Sequence, residues 1–135
     1  MGKSLLQTVN QAPQTVAVEG IISPGSVLRR YGCNCRLSGN AQELSGEGYY
    51  KLTGSVTVEP TEAGVVTVAL YHNGVQLPGA IASATAAAAG DAVALPLVGT
   101  IRLGCCCGEN SSTVTAVLVA GAGVVTNYSL RIEKD

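Results

Sequence analysis

The 135-residue sequence contains no phenylalanine and no tryptophan, and it has a single histidine and a single methionine. Charged residues make up only 13% of the chain, and the net charge is −1. A chain with so little charge lacks the basic surface that nucleic acid requires and the cationic patch that an anionic membrane attracts. We therefore expect one domain by length, with neither nucleic acid nor membrane among its partners.

The single histidine and the placement of the carboxylates argue against catalysis. His72 precedes the Asn73-Gly74 turn and has no nucleophile or acid near it in sequence, which favours a surface histidine beside a turn over a Ser-His-Asp arrangement. The acidic residues fall in turns and near the C-terminal end, without the D-x-D-x-D-G pattern of a calcium loop. We expect no catalytic residue, no cofactor and no metal site, and keep a hydrolase using His72 as a minor alternative.

The N-terminal segment does not have the pattern of a signal peptide. Polar Gln7, Thr8 and Asn10 follow Leu5 and Leu6 before a long apolar core can form. The alanine-rich run at 80–89 is too short to span a bilayer. We expect the protein to be made in the cytoplasm and to stay there or leave within an assembly.

The five cysteines occur as a C-x-C pair and a run of three. Cys33 and Cys35 would share one side of a strand, as would Cys105 and Cys107, with Cys106 opposite. Zinc ligation is possible by residue type, but the C-x₂-C spacing of structural zinc sites is absent. Small apolar core residues, a disulfide or intersubunit bridge, and a metal site all stay open, and we favour the first.

A hydrophobic period of two organises residues 48–79. This alternation predicts two long strands, each with one buried face. The buried face of the first would comprise Tyr50, Leu52, Val56 and Val58, and that of the second Val66, Val68 and Leu70. Pro60 to Gly64 supplies the turn between them, and Asn73-Gly74 predicts a tight hairpin to a third strand.

The remaining segments add strand signals and no convincing helix. The run at 80–89 is predicted as a strand, because it contains the β-branched Thr85 and is bounded on both sides by glycine-containing turns. Pro96 indicates an edge strand, a bulge or a kink, and segment 113–120, apolar on both faces, predicts a strand buried on both sides. Polar residues 1–20 are expected to form an N-terminal arm or attachment segment. Residues 21–135 then form one domain of about eight to ten antiparallel strands, a sandwich or barrel.

From residue 48 onwards the sequence resembles the C1q/TNF-like jelly-roll superfamily. The matching features are Gly48-Tyr49-Tyr50, Tyr71-His72-Asn73-Gly74, Gly90-Asp91-Ala92-Val93 and Leu130-Arg131-Ile132. Within this superfamily, small members that are rich in Ala, Val and Thr and lack aromatic residues resemble capsid decoration or head-fibre proteins of phages and prophages of Firmicutes. Asn127, Ser129 and Arg131 depart from the family, whose last strand usually lines an apolar trimer axis.

The resemblance implies a C1q/TNF-like jelly-roll sandwich that forms a homotrimer on a virion. Its partners would be itself and the major capsid protein or other virion proteins. The expected trimer contacts are Tyr49, Ala94, Val98, Val117 and Val119, and the expected attachment residues are Leu5, Leu6, Val16 and Val18. The alternative is a surface-displayed binding module for a receptor or glycan, or one of the spore-surface type. Long loops rich in Ser, Gly, Asn and Glu, rather than aromatic platforms, favour the structural protein.

Overall fold

The computed structural model describes residues 4–32, 34–39, 41–103 and 111–134, and these residues form twelve strands. In chain order the strands are β1 Ser4–Asn10, β2 Gln14–Val16, β3 Gly20–Ile22, β4 Ser26–Tyr31, β5 Cys35–Ser38, β6 Ala41–Ser45, β7 Gly48–Pro60, β8 Gly64–His72, β9 Val75–Ala86, β10 Val93–Leu103, β11 Ser111–Ala120 and β12 Gly123–Lys134. The all-β prediction is therefore confirmed.

The strands form two antiparallel sheets that pack face to face. Sheet A has the order β10-β7-β12-β1-β4, with β2 also paired to β12. Sheet B has the order β5-β6-β11-β8-β9, with β3 also paired to β11. From β7 onwards the chain passes repeatedly between the sheets, with β7, β10 and β12 in sheet A and β8, β9 and β11 in sheet B. This arrangement is the jelly-roll sandwich that the sequence predicts.

The core lies between the sheets and consists of the alternating apolar residues. Tyr50, Leu52, Val56 and Val58 of β7 are all 0% exposed. Val66, Val68 and Leu70 of β8 face them from sheet B and are equally buried. Leucine, valine, isoleucine and alanine fill the remaining interior, so the missing phenylalanine and tryptophan are replaced by smaller residues that allow close packing.

The two predicted turns have different roles. Asn73 and Gly74 adopt positive φ values of 54° and 82° and close the β8–β9 hairpin, as the sequence predicts. Residues 61–63, in contrast, do not close a hairpin between β7 and β8 but carry the chain from sheet A to sheet B. Both neighbouring positions of β7 are already occupied, by β10 and β12.

The N-terminal segment differs from the expected arm. Residues 4–10 form β1, which lies between β12 and β4 inside sheet A, and residues 14–16 form β2. Leu6 is fully buried, Ser4 donates to Asn34 Oδ1 at 2.7 Å, and Thr8 Oγ1 accepts from Gln42 Nε2 at 3.0 Å. These contacts join the segment to both sheets, so residues 4–16 are part of the folded domain.

The edge positions of the sheets explain Pro96 and one glycine. β10 is an edge strand of sheet A, as Pro96 indicates. A Cβ at Gly99 would lie 2.7 Å from Leu77 Cδ2 of β9, so this glycine lets β9 close the side of the sandwich against β10. The alanine-rich run is a strand up to Ala86 and then turns toward β10.

Candidate assembly surfaces

The histidine lies at the end of β8, next to the Asn73-Gly74 turn. His72 is half-buried, and burial lowers the pKa of its imidazole, which favours the neutral ring. Its Nε2 is buried and has no hydrogen-bond partner among the described residues. The predicted position beside the turn is correct, but the ring is less exposed than a surface histidine would be.

The described cysteine is a core residue. Cys35 is 0% exposed, has a free thiol, and its pKa is raised to about 11 by burial. A thiol with a raised pKa is a poor nucleophile at neutral pH. Cys33, Cys105, Cys106 and Cys107 lie outside the described residues. No group of three His, Cys, Asp or Glu residues suited to a metal ion occurs within the described ranges.

Two fully buried tyrosines on the inner face of sheet A differ in how their hydroxyls are bonded. The Tyr50 hydroxyl lies 2.7 Å from Ser45 O and 2.8 Å from Gly46 O, and it can donate to these carbonyls. The Tyr128 hydroxyl lies close enough to Gln42 for this side chain to act on its pKa, but no hydrogen bond of normal geometry joins it, or Gln42 Oε1, to a described residue. Burial raises the pKa of both phenols, that of Tyr50 to about 12.

The outer face of sheet A has a polar centre. Its members come from β1, β7 and β12, and they surround a shallow depression of about 430 Å³. They are Gln7, Thr53, Ser55, Ser129 and Arg131. Arg131 donates to Glu133 Oε1 at 2.7 Å, so its charge is paired within the sheet. The polar face predicted for the last strand therefore continues across the two strands beside it.

Two apolar patches lie on either side of this polar centre. The β10 patch comprises Tyr49, Ala94, Pro96 and Val98, with Val98 63% and Tyr49 57% exposed. Arg102 lies over the Tyr49 ring, 5.7 Å from its centroid. The β4 patch lies along the other edge strand and comprises Val27, Leu28 and Tyr31, which are 41%, 50% and 54% exposed. Tyr31 pairs with Leu5 on the outer face, whereas Val27 pairs with the inward-facing Thr8. Sheet A thus exposes apolar side chains at both edges and polar side chains between them.

The outer face of sheet B carries one apolar row. Ile21, Val117, Ala69 and Ile81 are paired in register across β3, β11, β8 and β9. Val117 is only 9% exposed and Ala69 is fully buried, whereas Ile21 and Ile81 are 49% and 43% exposed. The prediction that β11 is apolar on both faces is correct, and its outer face is shielded by its neighbours in the sheet.

The five predicted trimer residues do not form one surface. Tyr49, Ala94 and Val98 lie along the β10 edge of sheet A on its outer face, with Lys51 and Thr100 between Tyr49 and Val98. Val117 and Val119 belong to β11, in the opposite sheet, and Val117 is buried. The two groups lie in different layers because the alternation of a strand identifies its faces but not the sheet to which it belongs.

The predicted attachment residues are also divided by the fold. Leu6 and Val16 are buried in the core, at 0% and 5% exposure, so their side chains cannot contact a partner. Leu5 is half-buried on the outer side of sheet A. Val18 is 51% exposed and lines a depression of about 320 Å³ at one end of the sandwich. A helix of the length and hydrophobicity needed to cross a membrane does not occur in the described residues.

Neither a protein-family model nor a curated protein matches the sequence. The fold, however, is similar to that of murine APRIL at pH 5.0, with a TM-score of 0.74 at 13% identity over 99% of this chain and 100% of that one. The globular domain of zebrafish complement 1qA protein gives 0.66 at 10% identity over 96% and 94%. PRD1 vertex protein P5 gives 0.62 at 10% identity over 98% and 72%. The described fold is thus that of the TNF/C1q-like jelly rolls.

Proposed function

We propose that this protein is a non-enzymatic structural component of a phage virion, a homotrimeric capsid decoration or head-fibre protein. The observation that carries the proposal is the pair of exposed apolar patches at the two edges of sheet A, on β10 and β4. Apolar side chains grouped on the surface of a protein commonly mark an interface.

The placement of the two patches favours a ring over a twofold dimer. A twofold contact joins one patch to the same patch on its partner, whereas a ring joins two different patches in head-to-tail order. The β10 patch and the β4 patch lie at opposite edges of sheet A, so the first patch of one subunit can meet the second patch of the next. The polar centre, with Ser55 and Ser129, would then face the axis.

The number of subunits and the virion role come from the fold. The C1q/TNF-like resemblance implies three subunits, and the polar centre gives this trimer a hydrophilic axis where the family usually has an apolar one. The similarity to a viral vertex protein over 98% of the chain supports a position on the particle surface. Its partners would be the major capsid protein or other virion proteins, and the exposed Val18 is the member of the predicted attachment set best placed to contact them.

Light scattering coupled to size exclusion tests the trimer. The expected mass is three times 13.6 kDa at micromolar concentration in about 500 mM NaCl, where charge contacts are screened. Ala94→Arg should lower the mass to that of a monomer while the β circular dichroism is unchanged, because it places a charge in the β10 patch. Thr85→Arg, on the exposed side of β9 in sheet B, is the control and should stay trimeric. A monomeric wild type would refute the trimer.

Electron microscopy of purified phage particles with a labelled antibody tests the virion role. The expected result is label at regular positions on the particles made by the host that carries the gene. Particles that lack the protein by both labelling and mass spectrometry would refute that role, even if the trimer is confirmed. Label on the host surface instead would favour the binding-module alternative.

A further inference from the structure

The charged residues of the described chain are separated along the length of the sandwich. One end is formed by residues 17–19, 61–63, 87–92 and 121–122, and we call it the acidic end. Its charged residues are all carboxylates, without a described lysine or arginine, and they are Glu19, Glu59, Glu62 and Asp91. None of the four has an ion pair with a described residue.

The described lysines and arginines lie in the other half of the sandwich, which we call the basic end, with Arg29 and Arg131 near the middle at the level of Thr53. The basic end is where β7 begins and where β10 and β12 finish, beside the turn at 46–47. Its basic residues are Arg29, Arg30, Arg36, Lys51, Arg102, Arg131 and Lys134. Its three described carboxylates are fewer, and Glu43 and Glu133 already pair with Arg36 and Arg131. The basic end therefore keeps an excess of positive charge.

The two ends are too far apart for their charges to interact within one molecule, so the charge separation acts mainly between molecules. The 13 residues of β7 span about 43 Å at roughly 3.3 Å per residue. The Debye length at physiological ionic strength is about 8 Å, so charges at one end do not interact appreciably with charges at the other within one molecule. Between molecules, in contrast, opposite ends can approach within this length.

The acidic end is also shaped as a contact surface. Its carboxylates are spread over separate loops and are not grouped to chelate a metal ion within the described ranges. Exposed Val18 and Val65 line the depression at this end, together with Gly121 and Glu62. Small apolar residues and unpaired carboxylates on one surface suit a partner with a cationic surface, since complementary charge orients and accelerates the encounter.

We propose that the partner is a second copy of this chain, with the basic end of one molecule stacking on the acidic end of the next. Such a contact joins two different surfaces and runs along the strands, so it extends into a linear stack instead of closing. It uses the ends of the sandwich, whereas the ring of the proposed function uses the outer face of sheet A. The stack therefore does not depend on the trimer or on the virion role.

Sedimentation velocity and light scattering at several protein concentrations test the stack. In about 20 mM NaCl, where the Debye length is about 20 Å, the weight-average mass should rise with concentration. In about 500 mM NaCl it should return to the mass of the closed oligomer. The high-salt mass thus reports the trimer, and the increase at low salt reports the stack. A low-salt mass that does not change with concentration would overturn the stacking proposal.

Two substitutions with the same change in net charge provide the matched control. Glu62→Lys places a positive charge at the acidic end and should remove the low-salt increase in mass. Glu47→Lys makes the same change in the exposed turn at the basic end and should leave the increase intact or strengthen it. Equal behaviour of the two variants would assign the effect to net charge alone and overturn the proposal.

Mixing two variants in which the charges of opposite ends are reversed gives an independent test of the stack. Glu62→Lys/Asp91→Lys makes both ends basic, and Arg29→Glu/Arg102→Glu makes the basic end acidic. Because Arg29 and Arg102 lie beside the β4 and β10 patches, the second variant is used only with a high-salt mass equal to that of the wild type. Each double variant alone should fail to stack at low salt, whereas an equimolar mixture should regain an increase in mass at least half that of the wild type. A mixture that stays at the high-salt mass, with both variants folded by circular dichroism, would contradict stacking through these ends.

Discussion

Removing the hydroxyl from each buried tyrosine should change stability in opposite directions. Tyr50 and Tyr128 lie on the inner face of sheet A and are 0% and 1% exposed. Tyr50→Phe removes a hydroxyl that lies within hydrogen-bond distance of Ser45 O and Gly46 O. Tyr128→Phe removes a hydroxyl that is buried without a partner. The two variants make the same chemical change, so each is the control for the other.

The expected magnitudes follow from the cost of a buried polar group. Loss of the Tyr50 hydrogen bond should lower the free energy of unfolding by about 1 kcal/mol, the usual net value of such a bond. Removal of the unpaired Tyr128 hydroxyl should raise it by about 1 kcal/mol, because the desolvation penalty of an unsatisfied group is about 1 to 3 kcal/mol. For a chain of this length, 1 kcal/mol corresponds to about 3 to 4 °C in Tm.

Chemical and thermal unfolding of both variants at one fixed protein concentration measures the difference, since stability of an oligomer depends on concentration. The denaturant dependence should be the same in both variants, which shows that only stability has changed. A stability loss in Tyr128→Phe as large as that in Tyr50→Phe would refute the reasoning. It would mean that the Tyr128 hydroxyl is hydrogen-bonded in solution, with Gln42 Oε1 as the neighbouring acceptor.

Two further predictions follow from the core. Val68→Asp should abolish cooperative unfolding, because an unpaired charge at a fully buried position costs several kcal/mol and the free energy of unfolding of a domain is only about 5 to 15 kcal/mol. Val65→Asp, on the 55% exposed side of β8, is the control and should fold. A Val68→Asp variant that melts cooperatively would contradict the register. The free energy of unfolding should fall as pH rises above 9, because the Cys35 thiol loses its proton near pH 9 in the unfolded state but has a pKa of about 11 in the folded state. The fall between pH 9 and 11 should be shallower in Cys35→Ala. Equal pH profiles of the variant and the wild type would contradict this prediction.

The strands with strong apolar alternation could be predicted from sequence, because apolar side chains at alternate positions are enough to identify the buried face. In β7 and β8 the sequence predicts Tyr50, Leu52, Val56, Val58, Val66, Val68 and Leu70 as buried without knowledge of the partner strands, and all seven are in the core. The Asn73-Gly74 turn was also predictable, since its positive φ angles are a local requirement of these residues. Pro96 identified an edge for the equally local reason that proline lacks a backbone donor.

The N-terminal strand could not be predicted in the same way, because its inward face is mostly polar. Ser4, Leu6 and Thr8 point into the sandwich, and only Leu6 is apolar. Ser4 and Thr8 are satisfied by Asn34 and Gln42, which follow 30 and 34 residues later. Their burial depends on partners that local periodicity does not contain. For the same reason, the sequence did not show that the predicted trimer residues lie in opposite sheets.

The edges of the sheets restrict how copies of this chain can assemble. An exposed edge strand can pair with another chain unless proline or charge prevents it. The edge strands β10, β9, β4 and β5 all carry such residues, which are Pro96, Pro78, the adjacent Arg29 and Arg30, and Arg36. Strand addition is thus disfavoured, and self-association would use the faces and the ends of the sandwich.

The apolar patches and the charged ends should respond differently to salt, which makes their contributions to self-association separable. Contacts between the β10 and β4 patches bury apolar area, and their strength should change little between about 20 and 500 mM NaCl. Contacts between the acidic and basic ends depend on exposed charges and should weaken strongly over the same range. One salt titration on the unmodified protein therefore measures both: its high-salt limit gives the closed ring, and the increase toward low salt gives the stack. A protein that is monomeric at high salt would refute the ring through the apolar patches, whatever its mass at low salt.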